Sequence, residues 1–174
     1  MYQSGGAYGY RDQLQDTLCV NYLDSAISRK QIILHAACQY SNGNVLHWWH
    51  TAYRDVKEFG IDSKYSDDML WLVYVTYKYV VNTGDVSILS HKVGYLDNRE
   101  SDDTLFDHLV KSIDCAWEFG NLGLPLIKGG DWNDGMNNVG KNRQGQSVWL
   151  GFFLYCCLDC IIYFIHKQCN IFRN

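Results

Sequence analysis

The chain has 174 residues, enough for one domain with a sizeable core, and its 47% apolar and 20% charged content is that of a folded globular protein, not a disordered one. Its formal charge of −4 includes no block of basic residues, which argues against nucleic acid and leaves a neutral, locally recognised ligand. Seven cysteines, an odd number with no paired CxxC units, and an N-terminus lacking basic and apolar stretches predict a reducing, cytoplasmic setting.

Residues 3–10, Gln-Ser-Gly-Gly-Ala-Tyr-Gly-Tyr, read as a loop that leads into a helix over 11–18. Arg11, Gln15 and Leu18 share one face of it, either as a solvated first turn or as polar groups facing a pocket. A second helix is predicted over about 25–39, stopped by Ser41-Asn42-Gly43-Asn44. In His47-Trp48-Trp49-His50 the two histidines would share one side of a helical turn. No third ligand stands at a recognisable spacing, so no metal is expected, and two indoles beside two imidazoles better suit a carbohydrate platform.

Ser66-Asp67-Asp68 reads as a helix start, with Ser66 as N-cap and acids in the first turn where the dipole favours them. The run from Met69 is apolar on nearly every side, hence buried on nearly every side, until Asn82-Thr83-Gly84-Asp85 closes it. Another start falls within 101–104, followed by Leu105, Leu109, Ile113 and Trp117 at intervals of four and a stop at Gly120.

Lys128-Gly129-Gly130-Asp131-Trp132-Asn133-Asp134-Gly135-Met136-Asn137-Asn138-Val139-Gly140 is too rich in glycine for a helix and too poor in branched residues for a strand. It is a loop, and Asn, Asp and Gly are also ordinary turn residues. What sets it apart is Trp132 among Asp131, Asn133 and Asp134. A flat ring beside acceptors suits the apolar faces and hydroxyl edges of a sugar, and apolar surroundings favour a general acid working near neutral pH.

The last apolar run, 148–165, spans about 18 residues, near the lower limit for crossing a bilayer. Asp159 in its C-terminal half favours a buried core helix, so no membrane is expected, with a small membrane-associated protein as the competing reading. A single proline, Pro125, is compatible with a mostly helical chain. Five or six helices, several with two buried faces, predict a double layer of helices, as in an α/α toroid.

Six ordered motifs resemble one family: Gly-Ala-Tyr-Gly-Tyr-Arg-Asp-Gln-Leu-Gln-Asp ending at Asp16, His35-Ala36-Ala37, His47-Trp48-Trp49-His50, Ser66-Asp67-Asp68-Met69-Leu70-Trp71-Leu72, Gly130-Asp131-Trp132-Asn133-Asp134-Gly135-Met136-Asn137, and Ser147-Val148-Trp149-Leu150-Gly151-Phe152-Phe153-Leu154. Together, over residues 3 to about 159, they resemble the catalytic domain of glycoside hydrolase family 94, the inverting β-glucoside phosphorylases. The Gly130 motif is most similar to its form in cyclic β-1,2-glucan synthases and β-1,2-oligoglucan phosphorylases.

The resemblance implies an all-α fold, about half of an (α/α)6 barrel, in one incomplete domain over 1–174. It also implies Asp134 as general acid and Arg11, Asp16 and Trp132 as sugar ligands, with Asp131, Gln15, His47, Trp48 and Trp49 as further substrate-binding candidates. A phosphorylase needs one acid only, because phosphate itself is the nucleophile. The implied partners are therefore a β-glucooligosaccharide and inorganic phosphate as co-substrate, with no cofactor, in a family that is often homodimeric. The family's phosphate ligands fall outside this sequence, Thr51 and Val73 replace its prolines, and 52–64 departs from its pattern. The expectation is a fragment, with little phosphorolysis by the isolated chain and a non-catalytic carbohydrate-binding remnant as the alternative.

Overall fold

The computed structural model describes residues 6–50, 60–139, 142 and 144–171. The expected departures at Thr51 and over 52–59 lie outside these residues, as do the start of the first motif and Gly140.

Five α-helices carry the fold: α1 (Tyr10–Val20), α2 (Ser25–Ala36), α3 (Asp68–Thr83), α4 (Leu105–Ala116) and α5 (Val148–Ile171). Local signals set their ends. Asp24 accepts from the Ala26 amide to start α2, and Thr104 and Asp107 form a reciprocal capping box on α4. Gly84, in the left-handed conformation, ends α3 where the stop was predicted. α2 ends before Gln39, which instead forms a bridge with Val45.

α3 is the hub, packed on α1, α2, α4 and α5. Its buried residues include Met69, Leu70, Leu72, Val73, Val75 and Val80, which is why its sequence is apolar around most of its circumference. Leu14, Ile32, Leu109 and Phe164 join them from the other helices in one continuous core. Each such side chain, fully buried, contributes roughly 1.5 to 3 kcal/mol. On α4, Leu105, Leu109 and Ile113 are buried as their spacing predicts, whereas Trp117 lies past the helix end and is exposed.

The all-α expectation needs one correction. β1 (Ala7–Gly9), β2 (Leu46–His50) and β3 (Gly60–Asp62) form an antiparallel sheet in the order β1-β2-β3, with Tyr8 opposite Trp49 and Gly9 opposite Trp48. The aromatic run at 46–50 satisfies its backbone against two glycine-containing partners and turns Trp49 inward. Because it is a strand and not a helical turn, His47 and His50 leave on different sides: His47 meets Asp68, and His50 meets the edge of Trp48.

α5 is long and apolar enough, by length and composition, to cross a membrane, and 28% of that apolar stretch is buried. Leu150, Leu154, Cys157, Cys160 and Phe164 make its buried stripe against α3 and α4, while Phe152, Tyr155 and Ile162 stay exposed.

Candidate functional site

The site is assembled from the start of α1, the start of α3 and the loop over 127–139. That loop is fastened to the segment before α3 by backbone bonds. Gly129 donates to the Lys64 carbonyl (2.8 Å), the Ser66 amide donates to the Gly130 carbonyl (2.9 Å), and Tyr65 pairs with Lys128. The Ser66 hydroxyl donates to the same Gly130 carbonyl (3.0 Å), so it is not the cap of α3. Asp67 occupies the N-cap position instead, and its side chain does no capping.

Arg11 occupies the centre. It is 6% exposed, and its Nη1 donates to both Asp67 carboxylate oxygens (3.3 and 3.2 Å) and to the Asp131 carbonyl (3.2 Å). Its Nη2 donates to Asp134 Oδ1 at 2.5 Å. Burial works against the guanidinium charge, but Asp67 and Asp134 outweigh it and hold Arg11 above its ordinary range. Asp67, fully buried, also accepts from the Trp71 indole N–H (3.0 Å). Burial, then the neighbouring Asp68 charge, pushes Asp67 up to about 6 against the pull of Arg11.

Asp134 opens a short 3-10 turn, and its carboxylate is 64% exposed, tethered to the protein through Arg11. Trp132 is 51% exposed, its ring 6.4 Å from that of Trp149 on α5. Asp131 is a clasp: its carboxylate accepts from the Asn133 amide (2.9 Å) and from the Ser147 hydroxyl (2.5 Å), which itself accepts from the Leu150 amide. This ties the loop to the first turn of α5. His47 Nδ1 donates to Asp68 Oδ2 (2.8 Å), which also accepts from the Ser63 hydroxyl (2.6 Å). Burial opposes the imidazolium, but the Asp68 bond prevails and raises His47.

Not every predicted residue gathers here. Trp49 is wholly buried against Tyr8, Tyr10 and His35 and offers no face to a ligand, so the twin-indole platform is corrected; Trp48 is half-buried over the sheet. Asp16 lies five residues beyond Arg11, about 140° around the helix, and lines a separate hollow of about 240 Å³ with Tyr8, Gln13 and Gln31. Gln15, half-buried, sits one turn along from Arg11. An apolar groove of about 590 Å³ runs between Trp117, Phe119, Pro125 and α5, and Asp134 does not line it. Among the described residues no three metal-ligating groups come together.

The residues the sequence reading missed are Asp67 and Tyr65. Asp67 stands in the Ser66 motif, but the residues there mark it as an acid in a helix first turn, and its partner is 56 positions away.

A pH experiment isolates Asp67. Its carboxyl is raised, so its contribution to stability is present below its ordinary range and lost as pH rises through about 6. His35, lowered by burial to about 4, contributes stability above its ordinary 6.5 that is lost as pH falls through about 4. The two oppose each other across this window. Asp67→Asn should therefore gain stability between pH 4.5 and 6.5 more steeply than the unmodified chain, measured by urea midpoints. Parallel slopes would show that Asp67 titrates alike in the folded and unfolded chain.

Residues 1–170 match the family model of the glycosyl hydrolase 94 superfamily, catalytic domain. The chain is 39% identical to the cyclic β-(1,2)-glucan synthase NdvB of Rhizobium meliloti (strain 1021), over 88% of this chain and 6% of that protein. It is 31% identical to solabiose phosphorylase of Paenibacillus borealis, over 87% of this chain and 18% of that enzyme. With N,N'-diacetylchitobiose phosphorylase of Vibrio furnissii the identity is 28%, over 88% and 21%. The chain thus spans less than a quarter of the length of these relatives. The superfamily's catalytic domain is an (α/α)6 barrel, to which the five helices here correspond in part, with a small sheet added. A match that runs through nearly the whole sequence, on a fold whose loop presents Asp134 to Arg11, settles the assignment: the chain belongs to the glycosyl hydrolase 94 superfamily, within its catalytic domain.

Proposed function

We propose that this chain carries the general acid and part of the sugar site of an inverting glycoside phosphorylase domain acting on β-linked glucooligosaccharides. Asp134 gives its proton to the glycosidic oxygen as the bond from that oxygen to the anomeric carbon breaks. A phosphate oxygen bonds the same carbon from the opposite face, giving a sugar 1-phosphate of inverted configuration. Trp132 offers the sugar a ring face, Arg11 is the cationic donor beside the acid, and Gln15, His47, Trp48 and Asp16 stand further from it.

The observation that carries this reading is the 2.5 Å bond from the buried Arg11 to the exposed Asp134 carboxylate, beside an exposed indole. It sets a cation and a carboxylate together on a chain whose relatives include phosphorylases.

The test is formation of sugar 1-phosphate from β-1,2- and β-1,4-linked glucooligosaccharides with inorganic phosphate. Turnover by this chain alone is expected to be slight. What there is should fall to background in Asp134→Asn while oligosaccharide binding persists. Equal turnover by that variant would remove Asp134 from the chemistry.

One observation favours a second, binding-only reading. A carboxylate held as an ion pair with Arg11 is disposed to accept hydrogen bonds from sugar hydroxyls. Binding by the unmodified chain with no phosphate-dependent product at any enzyme concentration would select it.

A further inference from the structure

Tyr65 stands where the site loop, α1 and β2 meet. Its backbone is part of the fastening, bridged to Lys128, with Lys64 and Ser66 on either side holding Gly129 and Gly130. Its ring closes against Gly130, where an added Cβ would lie 2.7 and 2.8 Å from two ring carbons, so only glycine lets the loop approach this closely. His47 stacks on the ring with centroids 4.6 Å apart and planes 20° from parallel. The Arg11 guanidinium carbon is 5.7 Å from the ring centroid.

Groups of the Asp134 site therefore hold the ring on several sides. The side chain is nevertheless only half-buried, and its hydroxyl makes no hydrogen bond with the described residues. Such a phenol is rigid, placed and polar, with its hydrogen-bonding capacity unused by the described residues. Burial, then the Asp134 charge, raises its pKa, so it keeps its proton at neutral pH and remains a donor.

We propose that Tyr65 is a ligand-contacting residue of the Asp134 site, its hydroxyl hydrogen-bonding a hydroxyl of the sugar ring bound beside Asp134 and Trp132. The proposal rests on the reading of that site as a sugar site. It adds a phenol donor to the Asp134 site, and a means of fixing which sugar hydroxyls are accepted.

The experiment is a titration of a β-1,2-linked glucotriose into the full chain, followed by amide and indole NMR shifts. Tyr65→Phe is compared with the unmodified chain and with Tyr155→Phe, whose residue is exposed on α5. Tyr65→Phe should bind about 3- to 10-fold more weakly, the loss of one hydrogen bond, with an unchanged thermal midpoint. Tyr155→Phe should match the unmodified chain. Equal affinity in Tyr65→Phe overturns the inference and leaves the sugar site standing. A weaker affinity accompanied by a lowered thermal midpoint makes Tyr65 structural and overturns it as well. No saturable binding by the unmodified chain overturns the sugar site and the role of Tyr65 together.

Discussion

Arg11→Ala should lower the stability of the chain by about 3 to 5 kcal/mol, the cost typical of breaking a buried ion pair from one side. For a chain of this size that is a fall in thermal midpoint of roughly 10 °C. The cost comes from what is left behind. Asp67 is fully buried, and without Arg11 its carboxylate keeps, among the described residues, only the Trp71 indole as a donor, with the Asp68 charge beside it. The exposed partner, Asp134, adds little to this sum, because an ion pair in water contributes about 1 kcal/mol at most. Asp67 can relieve the strain by taking a proton, so the loss should be smaller at pH 5 than at pH 8. Adding Asp67→Asn to Arg11→Ala should return part of the stability. A double variant no more stable than Arg11→Ala would show that the two side chains are not coupled.

The second large effect separates two tryptophans that sequence alone had grouped as sugar ligands. Trp49→Ala should cost about 3 to 5 kcal/mol, because it empties the space between Tyr8, Tyr10 and His35 in the core. Trp132→Ala, at a position 51% exposed, should leave urea midpoints nearly unchanged and abolish oligosaccharide binding. Were Trp49 a sugar ligand, the pattern would invert: a stable protein that no longer binds.

The contrast shows where the sequence was readable. Helices were legible wherever apolar residues repeated at helical spacing between good stops, as in α4 with its Thr104 cap and in α3 up to Gly84. The sheet was not, because β1 and β3 have three residues each and depend on pairing with a strand about 40 positions from β1. A three-residue strand carries too few alternations to show a period. Ser66 has the composition of a cap, but a long-range bond to Gly130 claims its hydroxyl.

The same holds at the site. The loop carrying Trp132 and Asp134 was visible from its composition, and Arg11 from its motif. Their junction depends on Asp67, which local sequence marks only as a favourable first-turn acid. Asp131 looked like a second site carboxylate, yet its oxygens are engaged by Ser147 and Asn133, which makes it the brace of the loop. The family resemblance implies Asp16 as a sugar ligand alongside Arg11, whereas helical geometry turns it toward another hollow.

The central claim is that Asp134, Arg11 and Trp132 together form a sugar-binding surface. Its most direct measurement is a map of backbone and indole NMR shifts as a β-1,2-linked glucooligosaccharide is added to the unmodified chain. The account predicts saturable shifts centred on the Trp132 indole N–H, the 130–136 loop and the start of α1, with the core around Trp49 silent. Shifts centred on the groove beside Trp117 and Phe119, or none at millimolar sugar, would contradict it.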